Sequence, residues 1–157
     1  MKEEIRIEFL ADNRNLIDLI EQFFIKEWQR HYGPDGPGNA RKDLEECCNK
    51  IELPIALIAI KNQEFYGTIA LKSKSASHHH LKPWATALYI IQEKRRMGIG
   101  TQLVKTIETL AKDIGYNRIY ARSGAVVDFF IKIGWVPIDR INFQGQELTV
   151  FHKDLKP

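Results

Sequence analysis

Between Gly98 and Ile114 the apolar residues Ile99, Leu103, Ile107, Leu110 and Ile114 recur at steps of 4, 4, 3 and 4, which puts all five on one face of a helix. Gly115 follows at once and stops it. Such a stripe has to be buried against another element, and strands flank it. Trp84 to Ile91 reads as the strand before, and Arg118 to Ala121 as a short strand after.

The other elements follow from period and punctuation. Ile5, Ile7 and Phe9 alternate with Arg6 and Glu8, a half-buried strand. Asp12 or Asn13 then caps a helix carrying Leu16, Ile20, Phe23 and Phe24 on one face, which ends near Gly33 in the turn-rich GPDGPG. A second helix is expected from about Ala40 to Lys50, closed off by Pro54. PIALIAI and FYGTIAL, separated by Lys61 to Glu64, read as a β-hairpin, and Lys72 to Lys82 as a loop. A helix at about Val126 to Ile133 and strands around Trp135 to Ile138 and Leu148 to His152 complete the order β-α-α-β-β-β-α-β-α-β-β. The predicted class is α/β of the α+β kind: a mixed, largely antiparallel sheet with helices on both faces.

With 157 residues, 44% hydrophobic, the chain fits one domain over residues 1–157 and leaves little room for a second. The longest apolar run, Ile55 to Ile60, is far short of the roughly twenty residues of a membrane span. MKEEIRIEF reads as a strand rather than a signal peptide, and Cys47 and Cys48, adjacent, read as reduced thiols, so a cytoplasmic protein is expected. Residues 1–54 carry 8 Lys/Arg against 12 Asp/Glu, and residues 55–157 carry 15 against 8. That asymmetry suits an anionic ligand on the second half and a cationic one near the first, although solvated faces produce it too. No Lys/Arg block or basic aromatic stripe points to nucleic acid.

The chemistry concentrates at Arg95-Arg96-Met97-Gly98-Ile99-Gly100-Thr101, between a strand and a helix start. Unpaired backbone N–H groups, the helix dipole and two small residues make an anion site, with Arg95 and Arg96 adding charge. The segment is neither a Walker A loop nor a GxGxxG loop. Alone, it also reads as a helix start with two flexible glycines.

Arg95-x-x-Gly98-x-Gly100 resembles the R/Q-x-x-G-x-G/A signature of the GNAT superfamily of N-acetyltransferases. The resemblance extends over LYIIQEKRRMGIGTQLVKTIETLAKDIGYNRIYA and to DFFIKIGW, which is similar to the family's terminal FYEKLGF block; it is weakest over residues 11–54. It implies that Arg95, Arg96, Met97, Gly98, Ile99, Gly100 and Thr101 bind the pyrophosphate of acetyl-CoA, largely through main-chain amides. Leu88, Tyr89 and Ile90 would lie along the pantetheine arm, with the Ile90 N–H as an oxyanion contact. Ser123 falls where many members place an Asn on the cofactor arm, and Phe130, also expected at the cofactor, stands where the usual general-acid Tyr would be.

Phe130 cannot donate a proton, and the strand from Ala85 to Ile90 lacks the Glu some members use as base. Substitute acid or base candidates are Tyr32, His31, Tyr89 and the run His78, His79 and His80, with Tyr32, His80 and Tyr89 foremost. The same histidines also read as an ordinary solvated loop. His78 and His80 could alternate onto a metal, but no carboxylate or Cys lies near them in sequence, so no metal is assigned. Trp28, Tyr32 and Trp84 could wall an acceptor site or fill the core, and Glu27, Asp43, Glu45 and Glu46 could lend it negative potential or be surface charges.

The resulting expectation is an acyltransferase that moves the acetyl group of acetyl-CoA to a primary amine by direct attack in a ternary complex. The acceptor is a small-molecule or peptide amine; dimers are common in the family, so the resemblance allows a homodimer and leaves the oligomeric state open. The competing reading is a catalytically silent acyl-CoA-binding or regulatory domain, motivated by the missing Tyr and Glu. A nucleic-acid-binding module ranks third.

Overall fold

The computed structural model describes residues 4–155, so the first three residues of MKEEIRIEF lie outside them. β1 (Arg6–Phe9) pairs antiparallel with β2 (Ile55–Lys61), Ile7 opposite Ala59. β2 turns into β3 (Glu64–Lys72) through Asn62 and Gln63 alone, with φ of 52° and 65°. This is tighter than the Lys61 to Glu64 connection read from the sequence. Two residues with positive φ match the natural twist of a hairpin, and the strands extend to meet them.

β4 (Trp84–Ile90), β5 (Arg118–Ser123), β6 (Val136–Phe143) and β7 (Gln146–Asp154) complete a seven-stranded sheet of order β1-β2-β3-β4-β5-β7-β6. Every neighbouring pair is antiparallel except β4 and β5. The largely antiparallel sheet predicted from element order is therefore observed. β6 and β7 run longer than their apolar residues suggested. β6 is an edge strand whose Val136 to Arg140 are all exposed, and an edge strand lacks the buried face that makes alternation visible.

One face of the sheet is covered by the central helix, α4 (Ile99–Ile114). Its buried residues Ile99, Leu103, Val104, Ile107 and Ala111 share a core with Leu57, Ile69, Leu71, Ala121 and Phe151. Each fully buried Leu or Ile there stabilises the fold by about 1.5–3 kcal/mol. α5 (Val127–Lys132) adds Phe130 to the same core, beside Trp135, whose Nε1 donates to Glu108 of α4 at 3.1 Å.

The opposite face is covered by α1 (Ile17–Glu27) and α3 (Ala40–Glu46), whose Ile20, Phe24 and Leu44 pack on Ile58, Ile60 and Phe65. Arg41 of α3 holds the two helices together by bonding Asp18 and Glu21 of α1. Neither Asp12 nor Asn13 caps α1: the Asn13 amide donates back to Glu8 and Phe9, and 3₁₀ turns at Leu10–Asp12 and Arg14–Leu16 lead into the helix. The first helix is also broken at Trp28 (φ −120°, ψ 56°), after which Gln29–Tyr32 forms a short α2. α3 is capped by Asn39, which accepts from the Lys42 N–H at 3.0 Å. It stops at Glu46, short of Lys50, because the Cys47 carbonyl accepts from Ala56 and draws the chain toward β2.

Candidate active site

The site arises where the sheet comes apart. β4 and β5 share register at Trp84 and Tyr120, where the Tyr120 N–H donates to the Pro83 carbonyl at 3.0 Å, and at no later position among the described residues. A bulge in β4 accounts for the divergence: Thr86 faces Ala70 and Tyr89 faces Thr68, so Ala87 and Leu88 together oppose the single residue Ile69. Ala87 takes a left-handed φ of 56°, which costs a non-glycine residue about 1–2 kcal/mol. The bulged end of β4 leans away from β5 and leaves a gap lined by backbone.

Ile90 stands at that gap. The Ile91 N–H donates to the Tyr66 carbonyl of β3 at 3.0 Å, and residues alternate in an antiparallel ladder, so the N–H and C=O of Ile90 point away from β3 and toward β5. Its carbonyl accepts from Arg95 Nε at 3.0 Å. Its side chain, like that of Leu88, packs toward the α4 core, leaving the backbone as the polar surface. Gly67 lies opposite, where a Cβ would stand 2.7 Å from Ile90 Cδ1 and 2.8 Å from the Tyr89 carbonyl oxygen. Only glycine lets β3 approach this closely.

From Ile90 the chain runs through a 3₁₀ turn (Gln92–Lys94) into the glycine loop and α4. Gly98 adopts φ 82°, and no side chain caps the helix, so its first-turn N–H groups are available to an outside acceptor. Ile99 is buried and anchors the helix start, whereas Arg95, Arg96, Met97 and Gly98 are exposed. Gly100 has no structural reason to be glycine. A Cβ there would meet only Phe129, at an ordinary 3.5 Å, and alanine in a helix is favoured over glycine by roughly 0.5–1 kcal/mol. Helix dipole, free N–H groups, two arginines and this missing Cβ together can hold an anion such as a diphosphate.

The residues singled out from the sequence divide into two groups. Leu88, Tyr89, Ile90 and the segment Arg95 to Thr101 are brought together at the gap and the start of α4. Ser123, half-buried at the end of β5, accepts from the Val126 N–H at 3.1 Å and so holds the turn into α5. Phe130 is 4% exposed within a ring cluster, its centroid 5.2 Å from Trp135 and 5.3 Å from Phe151. Its neighbour Phe129 is the ring that reaches Gly100.

On the α1 face an aromatic chain runs from the gap into the helices. Tyr89 lies 5.4 Å from Phe23 and 6.2 Å from Trp28, with the Arg95 guanidinium 5.8 Å from its ring; Trp28 lies 6.4 Å from Tyr32. Burial raises the Tyr89 pKa and the Glu27 carboxylate raises it further, while Arg95 opposes. Tyr32 donates to Asp43 at 2.7 Å, above a cavity of about 10 Å³ that it lines with Asp43, Cys47 and Ala87. Burial, then the Asp43 carboxylate, pushes its pKa far above the ordinary phenol value. Both phenols stay protonated near neutrality. Asp43 is thereby engaged by Tyr32, and Glu45 pairs with Arg41, while Glu27 and, more weakly, Glu93 are the carboxylates that act on Tyr89.

His31 packs on Tyr32, ring centroids 4.6 Å apart. His78 is held by Asp139 of β6, Nε2 to Oδ2 2.8 Å, a carboxylate sixty-one residues away in the chain, and this contact lowers the Asp139 pKa. His79 and His80 are exposed, the His80 ring 6.5 Å from that of His78, in the loop that leads into the Trp84 end of β4. Among the described residues no three His, Cys, Asp or Glu side chains are grouped to hold a metal. Trp84 is core, 2% exposed, against Tyr120 and Val150, whereas Trp28 is only half-buried.

Arg122 also borders the gap, and the period of β5 is the sequence signal that places it. Ile119 and Ala121 face α4, so Tyr120 and Arg122 face the other way. The bulge at Ala87 had no signal in the sequence, since alanine is not a residue that favours positive φ.

Comparison with known proteins agrees with this architecture. An aminoglycoside 6'-acetyltransferase type Ii matches with a TM-score of 0.78 at 21% identity, covering 97% of this chain and 98% of that one. An aminoglycoside 6'-N-acetyltransferase complexed with coenzyme A matches at 0.76 and 18% identity, covering 98% of each chain. The aminoglycoside 6'-N-acetyltransferase from Enterococcus faecium matches at 0.75 and 19% identity over 97% of this chain and 98% of that one. At these identities the likeness is one of fold. No curated protein sequence matches. Residues 13–135 match the family model described as the acetyltransferase (GNAT) family, and with the split sheet and its glycine loop this places the chain as a member of that family.

Proposed function

We propose that the protein is an acyltransferase that moves the acetyl group of acetyl-CoA to a primary amine of a small molecule or peptide. The observation that carries this reading is Gly100: a helix-start glycine that neither backbone nor packing requires, beside first-turn N–H groups with no side-chain cap. A diphosphate fits there, and a similar structure of the same fold was solved with coenzyme A. Arg95 to Thr101 would hold the diphosphate, and Leu88 to Ile90 the arm that continues from it into the gap.

Bound acetyl-CoA supplies an activated acetyl thioester. The Ile90 N–H, directed into the gap, polarises the thioester carbonyl and stabilises the negative charge that develops on its oxygen. The Arg95 bond to the Ile90 carbonyl and the close approach of Gly67 keep that strand end in place. The amine nitrogen bonds to the carbonyl carbon, the carbon–sulfur bond breaks, and the thiolate departs with its electron pair. A thiol pKa of about 8.5 lets it leave without a general acid, which is consistent with Phe130. The amine's proton passes to water, because Tyr32 and Tyr89 hold their own protons and His80 lies in the exposed loop before Trp84.

The buried phenyl at Phe130 equally favours a second reading, an acyl-CoA-binding domain without turnover. Transfer of labelled acetyl from acetyl-CoA into a cell extract, separated into small molecules and polypeptides, distinguishes the two. Label in either fraction, lost with Gly100→Val, supports the transferase; cofactor binding with no label in any fraction supports the silent domain.

A further inference from the structure

Arg122 borders the gap and carries a charge that the proposed transfer does not use. It lies two positions beyond Tyr120, the last point where β5 touches β4, and faces away from α4, on the side where an acceptor would meet the thioester. Its guanidinium carbon sits 4.3 Å from the ring centroid of Phe143, and Nη1 donates to Ser77 Oγ at 3.2 Å. Phe143 ends β6, and the β6–β7 turn reaches across to α2: a Cβ on Gly145 would lie 3.9 Å from Arg30 Nη1.

Arg122 is half-buried and makes no contact with a carboxylate among the described residues. A guanidinium has five N–H donors, and Ser77 takes one. Burial without a counter-charge lowers its pKa. The Phe143 ring and Ser77 offset part of that burial but leave the charge without an anion, whereas a bidentate carboxylate on the acceptor would supply one with two charge-assisted bonds. On the α1 side the Glu27 carboxylate acts on Tyr89, which offers a negative group for an ammonium beside the Arg95 guanidinium. Resting on the transferase reading, we infer that the acceptor is a zwitterion: a primary amine that also carries a carboxylate, bound by Arg122 at the β5 wall. The aminoglycosides named for the similar structures are polycations and would meet Arg122 and Arg30 as like charges.

The test is steady-state acetyl transfer to matched acceptors: amino acids, their carboxamides, the corresponding alkylamines and an aminoglycoside. The wild type is expected to favour acids over carboxamides by at least tenfold in kcat/KM. R122Q is expected to abolish that preference by raising the KM for the acid at least tenfold more than the KM for the carboxamide, and R122K to restore it in part. A merely structural arginine would lower the rates on acid and carboxamide together. Equal use of acids and carboxamides, preference for the aminoglycoside, or an R122Q loss common to all acceptors overturns the inference while leaving the transferase reading intact. Acetyl-CoA binding with no transfer to any amine overturns both.

Discussion

Arg95 Nε donates to the main-chain carbonyl of Ile90 at 3.0 Å, so the first arginine of the glycine loop is turned back onto the strand that borders the gap. The residue that opens the anion-binding segment thus also fixes the backbone proposed to contact the thioester. Arg95→Ala is expected to raise the KM for acetyl-CoA and lower kcat, together costing about 1.5–3 kcal/mol, the worth of a hydrogen bond to a charged group. Arg95→Lys should recover the charge without the Nε geometry. Steady-state kinetics checks this, and a change confined to KM would mean that the Ile90 contact has no part in turnover.

The two loop glycines should respond in opposite ways. Gly98 has φ 82°, so Gly98→Ala strains the backbone and is expected to destabilise by about 1 kcal/mol or more. At Gly100 a Cβ meets only ordinary contact with Phe129 and the signature admits alanine there, so Gly100→Ala should leave stability unchanged or raise it by about 0.5 kcal/mol and keep coenzyme A binding, whereas the bulkier Gly100→Val should weaken that binding. Urea unfolding and calorimetric titration measure the two quantities separately.

These contrasts show how far the sequence was readable. The stripe from Ile99 to Ile114 and the hairpin runs were legible because burial imposes a period on them. The broken first helix was not, because Trp28 leaves helical geometry for reasons of packing against Phe24 and Tyr89. The glycine loop was legible as a motif, since its function lies in main-chain groups and in missing side chains. The Arg122 wall was not, because it depends on Ser77 and Phe143, which meet it only once the loop and the β6–β7 turn are folded.

The pH profile should carry no signature of a tyrosine acid. Both Tyr32 and Tyr89 are raised above the ordinary phenol pKa, and Phe130 has no proton to give. The rising limb of kcat/KM is expected to follow the pKa of the acceptor amine, moving when amines of different basicity are compared. Tyr32→Phe should cost stability by about 1 kcal/mol through the lost bond to Asp43 and leave that limb in place. A limb fixed across amines would instead point to a base on the protein.

Cys47 provides a separate check on the α3 core. Burial pushes its thiol up to about 11, above the value of 9.0 it has when free. The native state keeps the proton over an interval in which the unfolded chain has lost it. The stabilisation is therefore complete below about pH 9 and is lost as pH rises toward about 11. Wild-type urea midpoints should fall over this range more steeply than those of Cys47→Ala, and Cys47 should react with disulfide reagents more slowly than half-buried Cys48.

The most direct measurement is of the backbone amides themselves. On titration with acetyl-CoA, the amide resonances of Ile90, Ile99, Gly100 and Thr101 should shift most and together, with saturation at one equivalent, while those of Tyr32 and His80 move little. Saturable binding that leaves Ile90 and the start of α4 unperturbed would contradict the placement of the thioester in the gap between β4 and β5.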